Sequence, residues 1–524
     1  MSEYLERISA TARKAAQFND WGRVHACAKE ILKQHKKSPE GRFLLGLVEK
    51  ASNRPAEAVK AFSGALSLDG SRYDAAIELA SQYFLLNRYG EAVALLHKYE
   101  SHLGNSPRYL DMAGTIYTNV GLPERGWPLY KKANELQVGV DSIQANLAAC
   151  SVYVGKIDEA KEIYRRLLQK YPDHQRNHYE LSRLGTATDT THVEQMKQIL
   201  RLSKLSADKN IFLYYAIGKE LEDLAQWDEA FEYYEMAGNA IATVANYDVT
   251  TDLRLIDKII EVCSKDWLLA GAARMQAEPL EKTPIFIVGL PRTGTTLTER
   301  IVSSHSLVES IGETYFMQVG LKQESHVDSV AGMNSDIIEA AAKKDIGRVA
   351  AAYLQAVRYK FGDKPMFIEK FPENVLYLGF IAKAFPHARM VHLKRNAMDT
   401  CFAMYKQSFF RYAYTLDDLG QYYVAYNRLV NHWRKILKGR LIEVEYESLV
   451  SDQEGQTREL LEKLGLKFEE DCLTFEQNAT ASNTASTVQI REKIHTRSVN
   501  RWTRFEKQLR PLKSYLEAAG IIVS

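Results

Sequence analysis

The stretch IFIVGLPRTGTTLTERIVSSH, residues 285–305, decides the fold of the second half of this 524-residue chain. A short apolar run reads as a buried strand, and the segment opening at Thr295 reads as a helix. Between them, Gly289 to Thr296 fits the spacing G-x-x-x-x-G-[KST]-T. Glycines at such a turn let backbone N–H groups wrap an anion, and a helix N-terminus favours negative charge. Thr295 stands where a nucleotide triphosphatase loop carries lysine, and Arg292 lies inside the loop instead. Without that lysine, ordinary ATP or GTP hydrolysis is not expected. What remains is a cradle for one phosphate-like anion, formed by Arg292, Thr293, Gly294, Thr295 and Thr296. A tight turn with no ligand is the plain alternative. The coincidence of strand, glycines, arginine and paired threonines weighs against it.

The same texture continues outward. MFIEK (366–370), RMVHLKR (389–395) and LIEVEY (441–446) are short apolar stretches separated by longer amphipathic ones. That alternation predicts an α/β domain over 283–524, with a mainly parallel central sheet, crossover helices and a P-loop-like first turn. Upstream, TDLRLIDKIIEVCSKDW (251–267) and AGAARMQAEPLEKT (270–283) read as a helical connector over 246–282.

Residues 1–245 are organised differently. Gly46, Ala80, Gly114 and Ala148 are spaced 34 residues apart. Ala58, Ala92, Gly126 and Ala160 follow in the same register, as do Phe62, Leu96, Tyr130 and Tyr164. Antiparallel helices pack closely only where small residues meet and larger apolar ones fill the space beside them. The pattern resembles the tetratricopeptide repeat (TPR), with a degenerate first unit at Ala12, Val24, Ala28 and Ile31. A later unit loses register in GTATDTTH (185–192), and a further one uses Gly218, Ala230, Tyr234 and Ala237. The expected fold is therefore a TPR helical solenoid followed by the α/β domain. Peptide or protein binding on the superhelix is an expectation from architecture.

Lys and Arg total 68 against 66 Asp and Glu, so the formal charge is +2 and no nucleic-acid partner is expected. No apolar run approaches the ~20 residues of a membrane helix, and the amino terminus does not read as a secretory signal. Five scattered cysteines, with no C-x-x-C pair, point to a reducing, cytoplasmic compartment and to no metal. Oligomeric state is not readable.

PRTGTT (291–296) resembles the 5′-phosphosulfate loop of sulfotransferases that use 3′-phosphoadenosine 5′-phosphosulfate (PAPS). RMVHLKRNAMDTCFAMY (389–405) resembles the family's 3′-phosphate segment, which assigns that phosphate to Arg395. Where the family has a serine eight residues on, this chain has Ala403, with Thr400 or Lys394 as possible substitutes. VEYESLV (444–450) resembles the adenine-side strand and places Tyr446 against the base. TASTVQIREKIHTRSVNRW (484–502) resembles a segment closing over the nucleotide in the tyrosylprotein branch, with Ser486, Arg491 and Lys493 as contacts.

Two further matches concern catalysis. Glu313, in SIGETYF, falls at the place of that branch's general base, and Lys370, in FIEKFPENV, at that of the catalytic lysine. The resemblance thus implies transfer of a sulfuryl group from PAPS to an acceptor hydroxyl, with tyrosine of a peptide or protein as one acceptor and glycans or phenols as others. The cytosolic small-molecule branch carries a histidine two residues after its lysine, where this chain has Pro372. His305 and His392 are expected to be structural. The alternatives are a TPR scaffold with a non-catalytic nucleotide-binding domain, and a kinase with a modified phosphate loop.

Overall fold

The computed structural model describes residues 3–523 apart from 271–279, 329–331, 479, 483 and 485. The chain divides into two compact units at Val154/Gly155.

The first unit is a series of helices from Glu3–Gln17 to Asp141–Tyr153. Its 34-residue period has two physical causes. Small residues face rings sixteen positions later: a Cβ on Gly46 would stand 2.5 Å from the Phe62 ring, and one on Gly114 would stand 3.1 Å from Tyr130. At Ala80 the sixteenth residue is the non-aromatic Leu96. The second cause is the turn within each helix pair. Asn19, Asn53, Asn87 and Gly121 recur in the same period with φ of 57°, 54°, 58° and 81°. Glycine and asparagine enter this left-handed region at least cost. Val24, Ile31, Phe43, Leu44 and Phe62 fill the core of the early helices.

The second unit opens in the same register, with Gly155 at the next turn (φ 83°). Its helices Ile211–Asp223 and Trp227–Ala245 repeat the small-against-ring contact, Gly218 standing where a Cβ would meet Tyr234 at 2.8 Å. Here the turn residue is Ala225, at φ 59°. The register breaks between helices Gln175–Ser182 and Thr191–Leu202, where GTATDTTH falls. Helix Val249–Val262 and the short Lys265–Leu269 form the start of the connector. The rest of that segment through 279 lies outside the described residues.

The α/β domain is built on five strands: β1 Thr283–Gly289, β2 Val308–Gly312, β3 Met366–Lys370, β4 Arg389–Lys394 and β5 Leu441–Glu445. Their order is β2-β3-β1-β4-β5, and every neighbouring pair is parallel. Ile285, Ile287, Ile301, Ile368, Val391 and Leu461 pack one face of the sheet against the crossover helices. β2 is an addition to the four strands expected from sequence. VESIG is short, holds two polar residues and lies at the sheet edge, so it carries no continuous apolar run. From central β1 the chain first goes to one side of the sheet and, after β3, crosses to the other. A ligand crevice forms at the carboxyl ends of the strands where the order reverses in this way. Among the described residues no helix is long and apolar enough to cross a membrane.

Candidate active site

Each strand delivers a sequence-predicted site residue at its carboxyl end. The glycine loop follows β1, Glu313 follows β2, Lys370 ends β3, Arg395 follows β4 and Tyr446 follows β5. Parallel strands point their ends the same way, so topology alone gathers residues far apart in sequence. A cavity of about 360 Å³ lies there, lined by Arg292, Gly294, Thr295, Thr296, Arg395 and Tyr446 on the β1–β4–β5 side. Glu313 and Tyr315 line it from β2, and Phe371 to Glu373 from β3.

The loop conformation explains its composition. Gly294 has φ 96° and caps helix Thr295–Ser303, and a Cβ there would stand 2.6 Å from the Tyr446 ring. Glycine is therefore required twice, by dihedral and by space. Thr293 is buried, and its hydroxyl donates to the Leu290 carbonyl at 2.7 Å, bracing the loop rather than lining the cavity. The first N–H groups of the helix have no intrahelical partner, as at any helix start.

Arg292 is a non-glycine residue in the left-handed region, φ 68°. That conformation costs about 1–2 kcal/mol, a strain typical of residues fixed for function. Its guanidinium donates to Ser486 Oγ and to Gln489 Oε1, the latter at 2.9 Å. Burial, then the nearby charge of Arg395, holds its pKa down to about 10. Arg395 donates to the carbonyls of Arg292 at 2.8 Å and Ser498 at 2.6 Å, and stacks over the Tyr446 ring at 4.7 Å. Its Nε is buried with no hydrogen-bond partner among the described residues. Asp399 lies 4.0 Å from Arg395, but its oxygens accept N–H groups of Asn500 at 2.7 Å and Trp502 at 3.0 Å. Two arginines thus converge on one cavity with little counter-charge, which suits a multiply charged anion.

Lys370 is 1% exposed, and its ammonium donates to Glu313 Oε1, with Glu299 Oε2 3.8 Å away. Glu299 also accepts from Ser310 Oγ. Glu313 faces the cavity, while Lys370 lies behind it. The turn carrying Glu313 is held from below: Thr314 Oγ1 and Tyr353 Oη, the latter at 2.6 Å, both donate to fully buried Glu369. Burial pushes the Glu369 carboxyl up to about 7.

Other expectations meet mixed outcomes. Tyr446 opens a short helix, Tyr446–Ser451, instead of lying within the strand. Ser486 and Lys493 line the cavity. Arg491 does not, and its guanidinium packs at the position a Cβ on Gly155 would need. Neither proposed substitute for the missing serine at Ala403 turns inward. Thr400 donates to the Asn396 carbonyl at 2.9 Å, and Lys394 pairs with Glu445 at 2.7 Å. His305 bonds the Lys467 carbonyl at 2.9 Å and His392 bonds Tyr426 at 2.7 Å, both structural contacts. Among the described residues, no three His, Cys, Asp or Glu side chains gather to hold a metal.

Two groups escaped the sequence reading. Glu373 lines the cavity three residues after Lys370. Glu222, in a repeat helix, accepts from Lys406 at 2.8 Å, Arg501 at 2.6 Å and Tyr234 at 2.7 Å. Lys406 directly follows the helix begun after Arg395, and Arg501 ends the closing segment. The ion cluster therefore ties a repeat helix to two segments that shape the cavity. No spacing rule announces it, because its members are generic charges at positions 222, 406 and 501.

A glycine-containing loop thus follows the central strand of the α/β domain, and beside it buried Lys370 pairs with Glu313. Residues 284–470 match the model of the sulfotransferase family. Ahead of it the helices recur with a 34-residue period, and the solved TPR protein YrrB is 16% identical, with a TM-score of 0.29, over 39% of this chain and 96% of that chain. An uncharacterised protein of Aquifex aeolicus (strain VF5) is 28% identical over 382 residues, 70% of this chain and 48% of that protein. The chain thus spans about half the length of that relative. A putative protein-tyrosine sulfotransferase of Caenorhabditis briggsae is 24% identical over 234 residues, covering 42% of this chain and 80% of that protein. The sulfotransferase domain of the Synechococcus PCC 7002 olefin synthase is 19% identical, with a TM-score of 0.32, over 43% of this chain and 90% of that domain.

Proposed function

We propose that the protein is a PAPS-dependent sulfotransferase acting on an acceptor hydroxyl. Tyrosine of a peptide or protein is one such acceptor, and the repeats contribute to its recognition. The observation that carries this reading is the single cavity shared by the Arg292–Arg395 pair and Glu313. The residues suit the donor's anionic groups. Arg292, Gly294, Thr295, Thr296 and the helix start cradle the 5′ group, Arg395 takes the 3′-phosphate through its buried Nε, and Tyr446 offers a face to the base. Bound PAPS supplies the sulfuryl group.

Glu313 accepts the acceptor's proton as the acceptor oxygen bonds to sulfur. The S–O bond to the 5′-phosphate breaks, and Lys370 neutralises the charge left on the bridging oxygen. Without ligands, Lys370 is bonded to Glu313. Entry of the donor oxygen draws the ammonium away and frees the carboxylate to act as base, while Glu299 stays at hand as the lysine's second partner.

The test is thermal protection by adenosine 3′,5′-bisphosphate, which Arg292→Ala is expected to abolish. Transfer of labelled sulfate from PAPS is expected to be lost in Glu313→Ala and Lys370→Ala with the fold retained. Full turnover in both variants would overturn the assigned roles. Protection without transfer to any peptide, glycan or phenol would favour a scaffold with a non-catalytic domain.

A further inference from the structure

The two sides of the cavity differ in charge. Its cationic lining residues, Arg292, Arg395 and Lys493, come from the loop, from beyond β4 and from the closing segment, where the one lining carboxylate, Glu492, is paired with Arg497. The residues contributed from beyond β2 and β3 include no cationic side chain, only Glu313, Tyr315, Phe371, Pro372 and Glu373. Glu313 is already engaged by Lys370. Glu373 has no ion-pair partner among the described residues, and Gln318 Nε2 reaches it only at 3.5 Å. Burial raises its pKa, and the charges of Glu313 and Asp252 add to the effect. Its carboxylate thus lacks a counter-ion where the acceptor would enter.

Four aromatic rings share the cavity with Glu373. Tyr315 is 58% exposed and meets Phe371 edge-on at 5.0 Å, and Phe409 is 48% exposed and meets Phe410 edge-on at 4.4 Å. All four rings line the cavity. Exposed rings in a concave site offer faces to an aromatic ligand, and also to a cation, whose charge is drawn to the π-cloud. A carboxylate on the acceptor would face Glu373 and Glu313 and be repelled.

We propose that Glu373 is a specificity-determining residue, selecting acceptors in which an aromatic hydroxyl is joined to a protonated amine and rejecting those with a carboxylate in its place. This rests on the transferase reading above for what happens to the hydroxyl, but not for the recognition itself.

The test uses three phenols of one ring and different charge: tyramine, 4-ethylphenol and 4-hydroxyphenylacetate. Their dissociation constants are measured by calorimetry on the full chain, with and without adenosine 3′,5′-bisphosphate. Tyramine is expected to bind at least ~10-fold tighter than 4-hydroxyphenylacetate, the scale of one charge-assisted hydrogen bond. Glu373→Gln is expected to bring that ratio within about threefold, and Glu373→Asp, which keeps the charge, to preserve the order. Equal affinities in the native protein, a preference for the anion, no phenol binding, or an unchanged ratio in Glu373→Gln would each overturn the proposal. Transfer of labelled sulfate to the same phenols separates the two readings. A charge preference without transfer removes the transferase reading and keeps the selectivity, whereas transfer without charge preference does the reverse. Tyrosyl peptides flanked by lysine or by glutamate locate the amine. Tighter binding of the lysine peptide than of tyramine assigns it to a peptide, and weaker binding to a small molecule.

Discussion

Replacing Glu222 with glutamine tests how much of the second unit's stability resides in one carboxylate. Glu222 is 3% exposed and accepts from two cations and a tyrosine hydroxyl. Despite the cost of burial, Lys406 and Arg501 pull its pKa down to about 2 from an ordinary 4.5. A depression of that size corresponds to about 3 kcal/mol, and breaking a buried ion pair from one side typically costs about 3–5 kcal/mol. Glu222→Gln keeps the shape and removes the charge, leaving two cations side by side. A loss of about 3–5 kcal/mol is expected at pH 7.

Lys406 behaves in the opposite sense. It shares its carboxylate with Arg501, so burial outweighs the attraction and lowers its pKa to about 8. Lys406→Met is therefore expected to cost markedly less than Glu222→Gln. The assay is urea unfolding, with hydrogen exchange over 211–223 and 397–406 assigning the transition to this unit. The pH arms follow from the signs. The contribution of Glu222 is present above pH 4.5 and lost as pH falls towards 2, and this slope is expected to disappear in Glu222→Gln. Between pH 8 and 10.5 the unfolded chain holds the Lys406 proton more tightly, so stability is expected to rise with pH, and not to rise in Lys406→Met. A loss below about 1 kcal/mol in Glu222→Gln, or equal losses in the two variants, would refute the reasoning.

Two other perturbations have clear directions. Glu369, raised to about 7 by burial, stabilises most below pH 4.5 and less as pH rises through 7, by about 3 kcal/mol in all. Glu369→Gln is expected to flatten that part of the stability-versus-pH curve, read by thermal unfolding across pH 4–8. Ala225 occupies the left-handed turn position held elsewhere by asparagine or glycine, so Ala225→Gly is expected to stabilise by about 1 kcal/mol in urea unfolding.

Much of the architecture was legible because it is periodic or local. The 34-residue register follows from packing that every repeat must satisfy, and Gly289–Thr296 carries its turn geometry in its own letters. Lys370 and Arg395 were proposed from the family resemblance of their segments, and both follow short apolar runs that the fold turns into parallel strands. β2 was missed because an edge strand needs no continuous apolar run. Arg491 was nominated for the nucleotide by its place in the closing segment, yet it packs against Gly155, a contact that linear proximity to Ser486 does not reveal. Glu373 and Glu222 were invisible for a related reason. A carboxylate's neighbours, not its spacing, decide whether it is solvated, paired or left without a counter-ion. The turn register of Asn19, Asn53, Asn87 and Gly121 was present in the sequence and went unread, since it shows only when left-handed residues are sought in phase.

The exchange of volume between Gly46 and Phe62, Gly114 and Tyr130, and Gly218 and Tyr234 has a consequence for how such a chain can vary. A methyl added at Gly46 or Gly218 collides with the ring, one at Gly114 presses on it, and a ring trimmed to a small side chain leaves a void. The Ala80–Leu96 combination is the same bargain struck at another size. Variation at Gly46, Gly114 and Gly218 is therefore expected to proceed by correlated steps sixteen residues apart, whereas Ala148 already stands sixteen residues before Tyr164. A repeat transplanted from elsewhere keeps its packing only when both halves of the pair travel together.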